Sequence, residues 1–122
     1  MIIDHIRDMG EFTEFFANHP MDDGLFSFDF VVNNPHLYCA YDEETGKLRA
    51  YANMYVDDDR LFLSGASVRK NLPDNIDFII MVCNAFNEDI YADTDKKTAR
   101  IVLNRAGFRQ IDKNLYIRKN EV

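Results

Sequence analysis

The stretch Ser64–Phe78, SGASVRKNLPDNIDF, joins small residues and two basic side chains to the start of a predicted helix, an arrangement that binds phosphate in many proteins. At such a junction, backbone N–H groups and the positive end of the helix dipole hold the anion. Here Pro73 lacks an N–H group, Asp74 brings a negative charge to the helix start, and no Gly-x-Gly pair follows the strand. A phosphate bound here would therefore need the side chains of Arg69 and Lys70.

A second group of basic residues stands at the start of a later predicted helix: Lys96, Lys97 and Arg100. Together with Arg69 and Lys70 they could hold a polyphosphate through side chains instead of backbone groups. The alternative is a solvated basic rim that has no ligand. The sequence leaves both interpretations open.

Other residue types that carry chemistry are not grouped along the chain. The three histidines are isolated from one another and from the two cysteines, so no metal site is predicted. Ser64 and Ser67 lack the G-x-S-x-G frame of a hydrolase nucleophile. Candidate substrate contacts near the end of one predicted strand are Tyr51, Tyr55 and Asp57. No residue is assigned as a general base.

The length and composition predict one soluble globular domain that covers residues 1–122. Apolar residues make up 47% of the chain, but no run reaches the roughly 18 residues that a membrane span needs. We expect Cys39 and Cys83, which lie in separate apolar runs, to be buried free thiols. Free thiols, and a first segment without a secretory-signal pattern, favour a cytoplasmic protein.

The charge is distributed unevenly along the chain, whose net charge is −7. Residues 1–60 hold 13 acidic and 4 basic side chains, whereas residues 61–122 hold 8 acidic and 10 basic ones. This balance argues against nucleic acid as a partner. It allows an anionic ligand on the second half and a cationic one on the first, although ordinary surface solubility is the simpler explanation.

Hydrophobic periodicity predicts two helices followed by three strands. Asp8 and Glu11 form a capping-box-like start to the first helix. The run 22–35 fits either a helix or a strand, and we favour the helix. The three strands that follow form an antiparallel meander with short turns: His36–Tyr41, Lys47–Val56 and Arg60–Ala66.

The second half of the chain alternates helices and strands. Asp74 is the predicted N-cap of a helix that is apolar on most sides and is therefore expected to be buried. A short strand at Asp89–Asp93 precedes another helix, which Gly107 ends, and the chain closes in a hairpin around Asp112–Asn114. The candidate N-caps of this other helix are Thr94 and Asp95. This order predicts an α+β, or mixed α/β, fold.

The segment DIYADTDKKTARIVLNRAGFRQIDKNLYIRK, together with the order of elements across residues 36–119, resembles the GNAT N-acetyltransferase superfamily. Members of that family carry an N-x-x-A-x-x-L-Y-x-x-x-G-F pattern on the helix that precedes a final β-hairpin. Ala99, Gly107 and Phe108 match this pattern in spacing, and Val102 stands in the position of the leucine. The chain is also similar to short GNAT-like proteins that tailed phages carry.

The resemblance implies a mostly antiparallel sheet of about six to seven strands, splayed in a V and flanked by about four helices. In the family, acetyl-CoA binds as a co-substrate in the V between two central strands, with its pyrophosphate at the start of the buried helix. Carried over to this sequence, the residues that bind the cofactor are Ser67, Val68, Arg69, Lys70, Asn71, Asn75 and Lys96. No metal is implied.

The sequence departs from the family pattern at the loop and on the helix that follows. The family's loop, Q/R-x-x-G-x-G/A, brings backbone N–H groups to the pyrophosphate, and its glycines are absent here. The family's helix asparagine falls at Lys96. Its tyrosine, which often protonates the departing thiolate, falls at Leu103, which has no proton to donate. Catalytic residues are therefore not assigned.

Two functions fit these observations. The first is an acyl-CoA-dependent N-acetyltransferase with a degenerate pyrophosphate loop, and the acidic first half favours an amine, either a small molecule or a peptide, as its acceptor. The second is a catalytically inactive GNAT-fold protein that binds or assembles, encoded by a phage and associated with its virion. Neither nucleic acid nor a membrane is expected as a partner. The location is then the cytoplasm, or the virion for a phage protein, and the oligomeric state, a homodimer included, is left open.

Overall fold

We analysed a computed structural model of the protein, which describes residues 1–19, 27–68 and 70–120. These residues form seven strands and four helices. Their order is β1 (Ile2–Asp4), α1 (Met9–Asn18), α2 (Phe28–Val32), β2 (Leu37–Tyr41), β3 (Leu48–Asp57), β4 (Arg60–Ser67), α3 (Leu72–Asn84), β5 (Ile90–Asp93), α4 (Lys97–Arg105), β6 (Arg109–Gln110) and β7 (Leu115–Arg118).

The strands form one open sheet in the order β1-β2-β3-β4-β5-β7-β6. Every neighbouring pair is antiparallel except β4 and β5, which run parallel. The predicted meander of β2, β3 and β4 is confirmed, and so is the terminal hairpin of β6 and β7. The fold is therefore α+β, with a mostly antiparallel sheet and four helices, as the sequence predicted.

Helices lie on both faces of the sheet. Successive side chains of a strand point to opposite faces, so the apolar strands present side chains to a core on each side. On the back face, α3 and α4 pack over a core that includes Met54, Phe78 and Ile90. On the front face, α1 and α2 cover a second core, rich in aromatic residues, around Phe12 and Tyr51. The rings of these two residues meet edge to face with their centroids 5.4 Å apart, an arrangement that adds to the gain from burial.

The first two helices begin at polar caps. The Asp8 carboxylate accepts a hydrogen bond of 3.0 Å from the Glu11 N–H, so the predicted start of α1 is confirmed. The Ser27 hydroxyl accepts one of 3.2 Å from the Phe30 N–H at the start of α2. This short helix lies within the run for which we favoured a helix, and residues 22–26 of that run lie outside the described residues.

The last helix ends as the sequence predicted. Gly107 adopts a φ of +95°, a conformation that glycine reaches without a steric penalty. The N–H of Phe108 donates to the Leu103 carbonyl at 2.9 Å, and the N–H of Gly107 donates to the Asn104 carbonyl at 3.3 Å. These two bonds define a Schellman motif, and they direct the buried Phe108 ring into the back core.

Two predicted helix caps are wrong. The N-cap of α3 is Asn71, in the left-handed region with a φ of +57°, so the helix begins before Asp74. Asparagine tolerates this conformation better than most side chains, and it is a strong N-cap. The residue before α4 is Lys96, which makes no cap bond with its side chain. The Thr94 hydroxyl instead accepts a hydrogen bond of 3.2 Å from the Lys96 N–H. Lys96 precedes the first residue of α4, so this bond caps none of the N–H groups of the helix itself.

Two further features differ from the sequence prediction. β1 was not predicted, because a strand of three residues carries too little periodicity to be recognised. The buried residues of α3 are Asn75, Phe78, Val82 and Cys83, whereas Met81 is 52% exposed, so this helix is covered on one side and not on most sides. No helix in the described ranges is long and apolar enough to cross a membrane.

Gly65 lies on β4 opposite Ala52 of β3, at a point where no side chain fits. A Cβ atom there would lie 2.2 Å from the Tyr51 carbonyl oxygen and 3.2 Å from the Ala52 Cα. Backbone atoms cannot yield as a flexible side chain does, so glycine is required for β3 and β4 to pair without a break. β4 depends on this pairing because β5 covers only a short part of its other edge.

Gly65→Ala should lower the free energy of unfolding by about 3 kcal/mol, because β4 must move away from β3 to admit the methyl group. Urea denaturation followed by circular dichroism measures this loss. Gly46→Ala is the matched control, since Gly46 has a φ of +70° but no atom within 4 Å of the added Cβ. It should cost only about 1 kcal/mol of backbone strain. Equal losses for the two variants would contradict the close approach at Gly65.

Candidate functional site

β4 and β5 separate soon after they meet, and a cleft opens between them. Their parallel pairing covers two residue pairs, Leu61 with Ile90 and Phe62 with Tyr91. β4 then continues along β3, whereas β5 continues along β7. The cavity between them has a volume of about 640 Å³. Small-molecule sites commonly have about 300–1,000 Å³, so this V-shaped opening is large enough for a ligand.

The edge of β4 that borders the cleft carries backbone groups that pair with no strand of the described residues. The Val68 N–H donates to the Arg49 carbonyl at 2.8 Å. In an antiparallel pair of strands, hydrogen-bonded and non-hydrogen-bonded residue pairs alternate, so this bond shows which residues of β4 bond to β3. Even-numbered residues of β4 therefore direct their backbone groups toward β3. The backbone groups of Gly65 and Ser67 point the other way, toward the cleft, where β5 pairs with neither residue. An extended ligand with amide groups can pair with this edge as an added strand does.

The first turns of α3 and α4 lie at the same cleft. Leu72 and Asn75 of α3 contribute to its lining, and so do Lys96, Thr98 and Ala99 around the start of α4. The positive ends of two helix dipoles and one ammonium group therefore stand beside the same cavity. This combination favours a negatively charged group of a ligand near Lys96, whereas the Asp93 carboxylate in the same lining favours a positively charged one near the end of β5.

A buried arginine lies behind the loop that joins β4 to α3. Arg49 is only 7% exposed, which is unusual for a charged side chain. The pairing of β2 with β3 shifts register here: Ala40 pairs with Ala50, and Tyr41 pairs with Leu48. Arg49 is therefore the extra residue of a β-bulge, a feature that turns a side chain out of the regular alternation.

The Arg49 guanidinium holds the loop through carbonyl groups. Its Nη2 donates to the Lys70 carbonyl at 3.0 Å, to the Asn71 carbonyl at 3.4 Å and to the Asn75 Oδ1 at 2.9 Å. The Asn75 amide in turn donates to the Val68 carbonyl at 2.9 Å. Both ends of the loop are thus tied to one buried cation, and hydrogen bonds to a charged donor are stronger than neutral ones.

Protein groups already use several donors at the start of α3. The N–H groups of Asp74 and Asn75 donate to the Asn71 carbonyl at 3.1 and 3.3 Å. The Asp74 carboxylate accepts a hydrogen bond of 2.7 Å from the Asn71 amide, and Arg49 Nη1 lies 3.7 Å from the same carboxylate. A pyrophosphate at this turn therefore meets fewer backbone donors than a glycine-rich loop offers, and it also meets a carboxylate.

The seven residues predicted to bind the cofactor divide into three groups. Four of them line the cleft: Ser67, Val68, Asn75 and Lys96. Two are exposed and lie outside its lining: Lys70 and Asn71. The seventh, Arg69, lies outside the described residues, so its role stays a prediction.

The proposed group of five cations is not assembled at the cleft by the described residues. Arg100 Nη2 donates to the Asn114 Oδ1 at 2.8 Å, so this side chain ties α4 to the final hairpin. Lys70 and Lys97 are exposed and do not line the cavity. Within the described part of the chain, Lys96 is the member of the group that borders the cleft.

Sequence reasoning missed several residues that line the cleft: Asn18, His19, Asp93 and Thr98. Asp93 had a usable signal, since it is a polar residue at the end of a predicted strand. The end of α1 had none, because only tertiary packing brings Asn18 and His19 to β4. Of the suggested substrate contacts, Tyr51 and Tyr55 line the cleft and Asp57 does not.

The lining includes groups that can accept a proton, whereas Leu103 stands where the resemblance predicts a proton-donating tyrosine. Asp93 is an exposed carboxylate at the end of β5. The imidazole of His19 stacks on the Phe15 ring with centroids 4.2 Å apart, and the Tyr51 hydroxyl donates to the His19 carbonyl at 3.1 Å. Leu103 is buried and brings no proton to the site.

The two cysteines are buried and free, as predicted, and neither lines the cleft. Burial raises the pKa of the Cys39 thiol to about 12 and that of the Cys83 thiol to about 11. Because the thiolate is the nucleophilic form, neither residue is suited to covalent catalysis.

Comparison with known proteins yields no relative: no family model matches the chain, and neither a curated protein nor a solved structure matches it significantly. Its fold and its cleft are therefore the basis for inferring a function. The protein is an α+β protein whose open sheet splits between two parallel central strands, with a cleft of ligand size at the split.

Arg49→Lys should destabilise the protein by about 2 kcal/mol, because one ammonium cannot replace the guanidinium at the carbonyls of Lys70 and Asn71 and at the amide of Asn75. Urea denaturation measures the loss, and faster amide hydrogen exchange at Asn75 should locate it. Arg105→Lys, at an exposed position in the last turn of α4, is the control and should change little. A loss no larger than that of the control would mean that Arg49 does not hold the loop.

Proposed function

We propose that the protein is an acyl-CoA-dependent N-acetyltransferase of the GNAT type that acts on an amine. The observation that carries the proposal is the separation of β4 and β5 after two residue pairs, with the starts of α3 and α4 beside the resulting cleft. The Schellman turn at Gly107 and Phe108, followed by the β6–β7 hairpin, supports the same assignment.

The cleft provides a suitable surface for each part of acetyl-CoA as a substrate. The backbone edge at Gly65 and Ser67 suits the amides of the pantetheine arm, which is extended and uncharged. Lys96 and the two helix starts suit the phosphates at the other end. Apolar wall residues, among them Phe78 and Val102, suit the methylene groups between the amides.

In the proposed reaction, the neutral amine nitrogen attacks the carbonyl carbon of the thioester. A C–N bond forms and the C–S bond breaks, while the nitrogen loses one proton and the CoA sulfur gains one. The products are the N-acetyl amine and the CoA thiol, and an amine that arrives as an ammonium ion first releases one proton to a base. Asp93 and His19 are the candidate bases of the described lining. Leu103 cannot donate the proton that the sulfur gains, and we assign that proton to solvent.

We assign this reaction to the cytoplasm, where acyl-CoA is available and thiols stay reduced. The two buried free cysteines are compatible with that compartment. The acceptor is either a small molecule or a peptide that carries an amine, and the oligomeric state is not part of the proposal.

A second candidate function is a GNAT-fold protein without catalysis, used for binding or assembly, including in a phage particle. The observation that favours it is the start of α3, where Asn71 and Asp74 occupy donors that a pyrophosphate would need. Leu103 also favours this second function, because it is buried at the cleft and cannot donate a proton. Such a protein would keep the cleft but would not bind or turn over acetyl-CoA.

Acetyl-CoA should raise the melting temperature, and Lys96→Ala should weaken its binding by about tenfold through loss of one charge-assisted contact to phosphate. Isothermal titration calorimetry measures the affinity of both forms. Lys97→Ala is the matched control, because Lys97 is the next residue along the chain and is exposed outside the cleft lining. It should bind acetyl-CoA as the unmodified protein does.

Two outcomes would contradict the proposal. The absence of any heat or thermal shift at millimolar acetyl-CoA would favour the binding or assembly function. Equal affinities for the Lys96→Ala and Lys97→Ala variants, both weaker than the parent, would mean that general charge and not the cleft governs binding.

A further inference from the structure

A row of three aromatic side chains crosses the front face of the sheet outside both cores. Tyr55, Phe62 and Tyr91 are cross-strand neighbours on β3, β4 and β5. The ring centroids of Tyr55 and Phe62 lie 5.6 Å apart, and those of Phe62 and Tyr91 lie 5.7 Å apart. Each of the three is half-buried, and none belongs to the front or the back core. An accessible row of rings on a sheet is a surface suited to an apolar group.

This aromatic row leads directly into the cleft. Two residues farther along the same face of β4 and β5 stand Ser64 and Asp93, which both line the cavity, as does Tyr55. Residues two apart on a strand are separated by about 6.6–6.8 Å. A ligand that lies on the rings therefore reaches Asp93, at the mouth of the cleft, with a chain of a few carbon atoms.

The charges around the row differ between its two sides. On the side away from the cleft, the Arg60 guanidinium lies 4.8 Å from the centroid of the Tyr91 ring. On the cleft side, the exposed Asp93 carboxylate forms no ion pair with any described residue. One side of the row thus already has a cation, whereas the other side has the Asp93 carboxylate beside apolar rings, with Lys96 as the cation of the described lining in the same cleft.

We infer that the aromatic row and Asp93 bind a primary amine with an apolar body, the ammonium group beside Asp93 and the hydrocarbon on the rings of Tyr55 and Phe62. The inference rests on the proposed function and names the class of its acceptor. Charge complementarity selects an ammonium group at Asp93. The rings select an apolar body, and Arg60 already occupies the place where the second charge of a polyamine would lie.

This position suits the chemistry of acyl transfer. An amine on the front face enters the V from the side of Ser64 and Asp93, while the backbone edge at Gly65 and Ser67 stays available to the acyl donor. The carboxylate attracts the ammonium ion and is also the nearest candidate base for its proton. Asp93 therefore acts in both binding and deprotonation.

The test uses 2-phenylethylamine as the probe, titrated into the full-length protein without CoA and followed by calorimetry. We expect binding that Asp93→Asn weakens at least tenfold, because the variant keeps the shape of the side chain and loses its charge. Asp95→Asn is the matched control, since Asp95 is exposed two residues farther on and does not line the cleft. It should leave the affinity unchanged.

Phe62→Leu, which removes a ring and keeps an apolar side chain, should weaken binding about threefold.

Three results would overturn the inference. They are no binding of 2-phenylethylamine at millimolar concentration, equal binding by the Asp93→Asn and Asp95→Asn variants, and tighter binding of spermidine or of a short lysine peptide. Circular dichroism of each variant establishes that it is folded before it is titrated. The amine is titrated without CoA, so its binding is measured independently of acetyl-CoA binding. Failure of the amine proposal can therefore be distinguished from failure of the acetyl-CoA proposal.

Discussion

The hydrogen bonds of the Arg49 guanidinium are the interaction on which the candidate site depends. They join the bulge of β3 to the loop before α3 and to the first turn of that helix, through the carbonyls of Lys70 and Asn71 and the amide of Asn75. A buried charge is costly unless it is hydrogen-bonded, and Nη2 makes three such bonds to this segment, whereas the buried Nε has no partner among the described residues. In a glycine-rich loop the backbone turns its N–H groups toward a phosphate. Here carbonyl groups of the loop turn inward to a protein cation, and the space for a ligand lies beside the loop and not within it.

The sheet gives the cleft two separate approaches. The back core, with α3 and α4, fixes one wall and brings the positive ends of two helices to the cavity. The front core holds α1 against β3 and leaves the aromatic row beyond it accessible. Gly65 lets β4 pair closely with β3 along one edge. The other edge of β4 faces the opening of the cleft. Under the proposed function, an anionic donor and a cationic acceptor would thus reach the cleft from different directions, which lets the cleft hold both at once.

The order of elements was predictable from the sequence wherever local signals were strong. Gly107, the meander and the final hairpin are examples, since a C-cap glycine and alternating apolar residues determine local structure directly. The cap of α3 was not predictable, because the choice between Asn71 and Asp74 depends on a left-handed backbone that the buried Arg49 helps to hold. The same holds for the site: Lys96 and Ser67 follow from the resemblance, whereas Arg49 and His19 act through contacts between residues far apart in the chain. A charged residue near the start of a largely apolar strand was a hint of the bulge in the sequence.

The most direct test of the cleft as the acetyl-CoA site is a titration of 15N-labelled protein with acetyl-CoA, followed through the backbone amide shifts. We expect the largest shifts at Gly65, Ser67 and Thr98, which lie on opposite walls of the opening. Small shifts should extend to Asn75, and β1 and β6 at the sheet edges should be unaffected. The absence of shifts at saturating acetyl-CoA, or shifts confined to residues outside the cleft, would contradict the assignment.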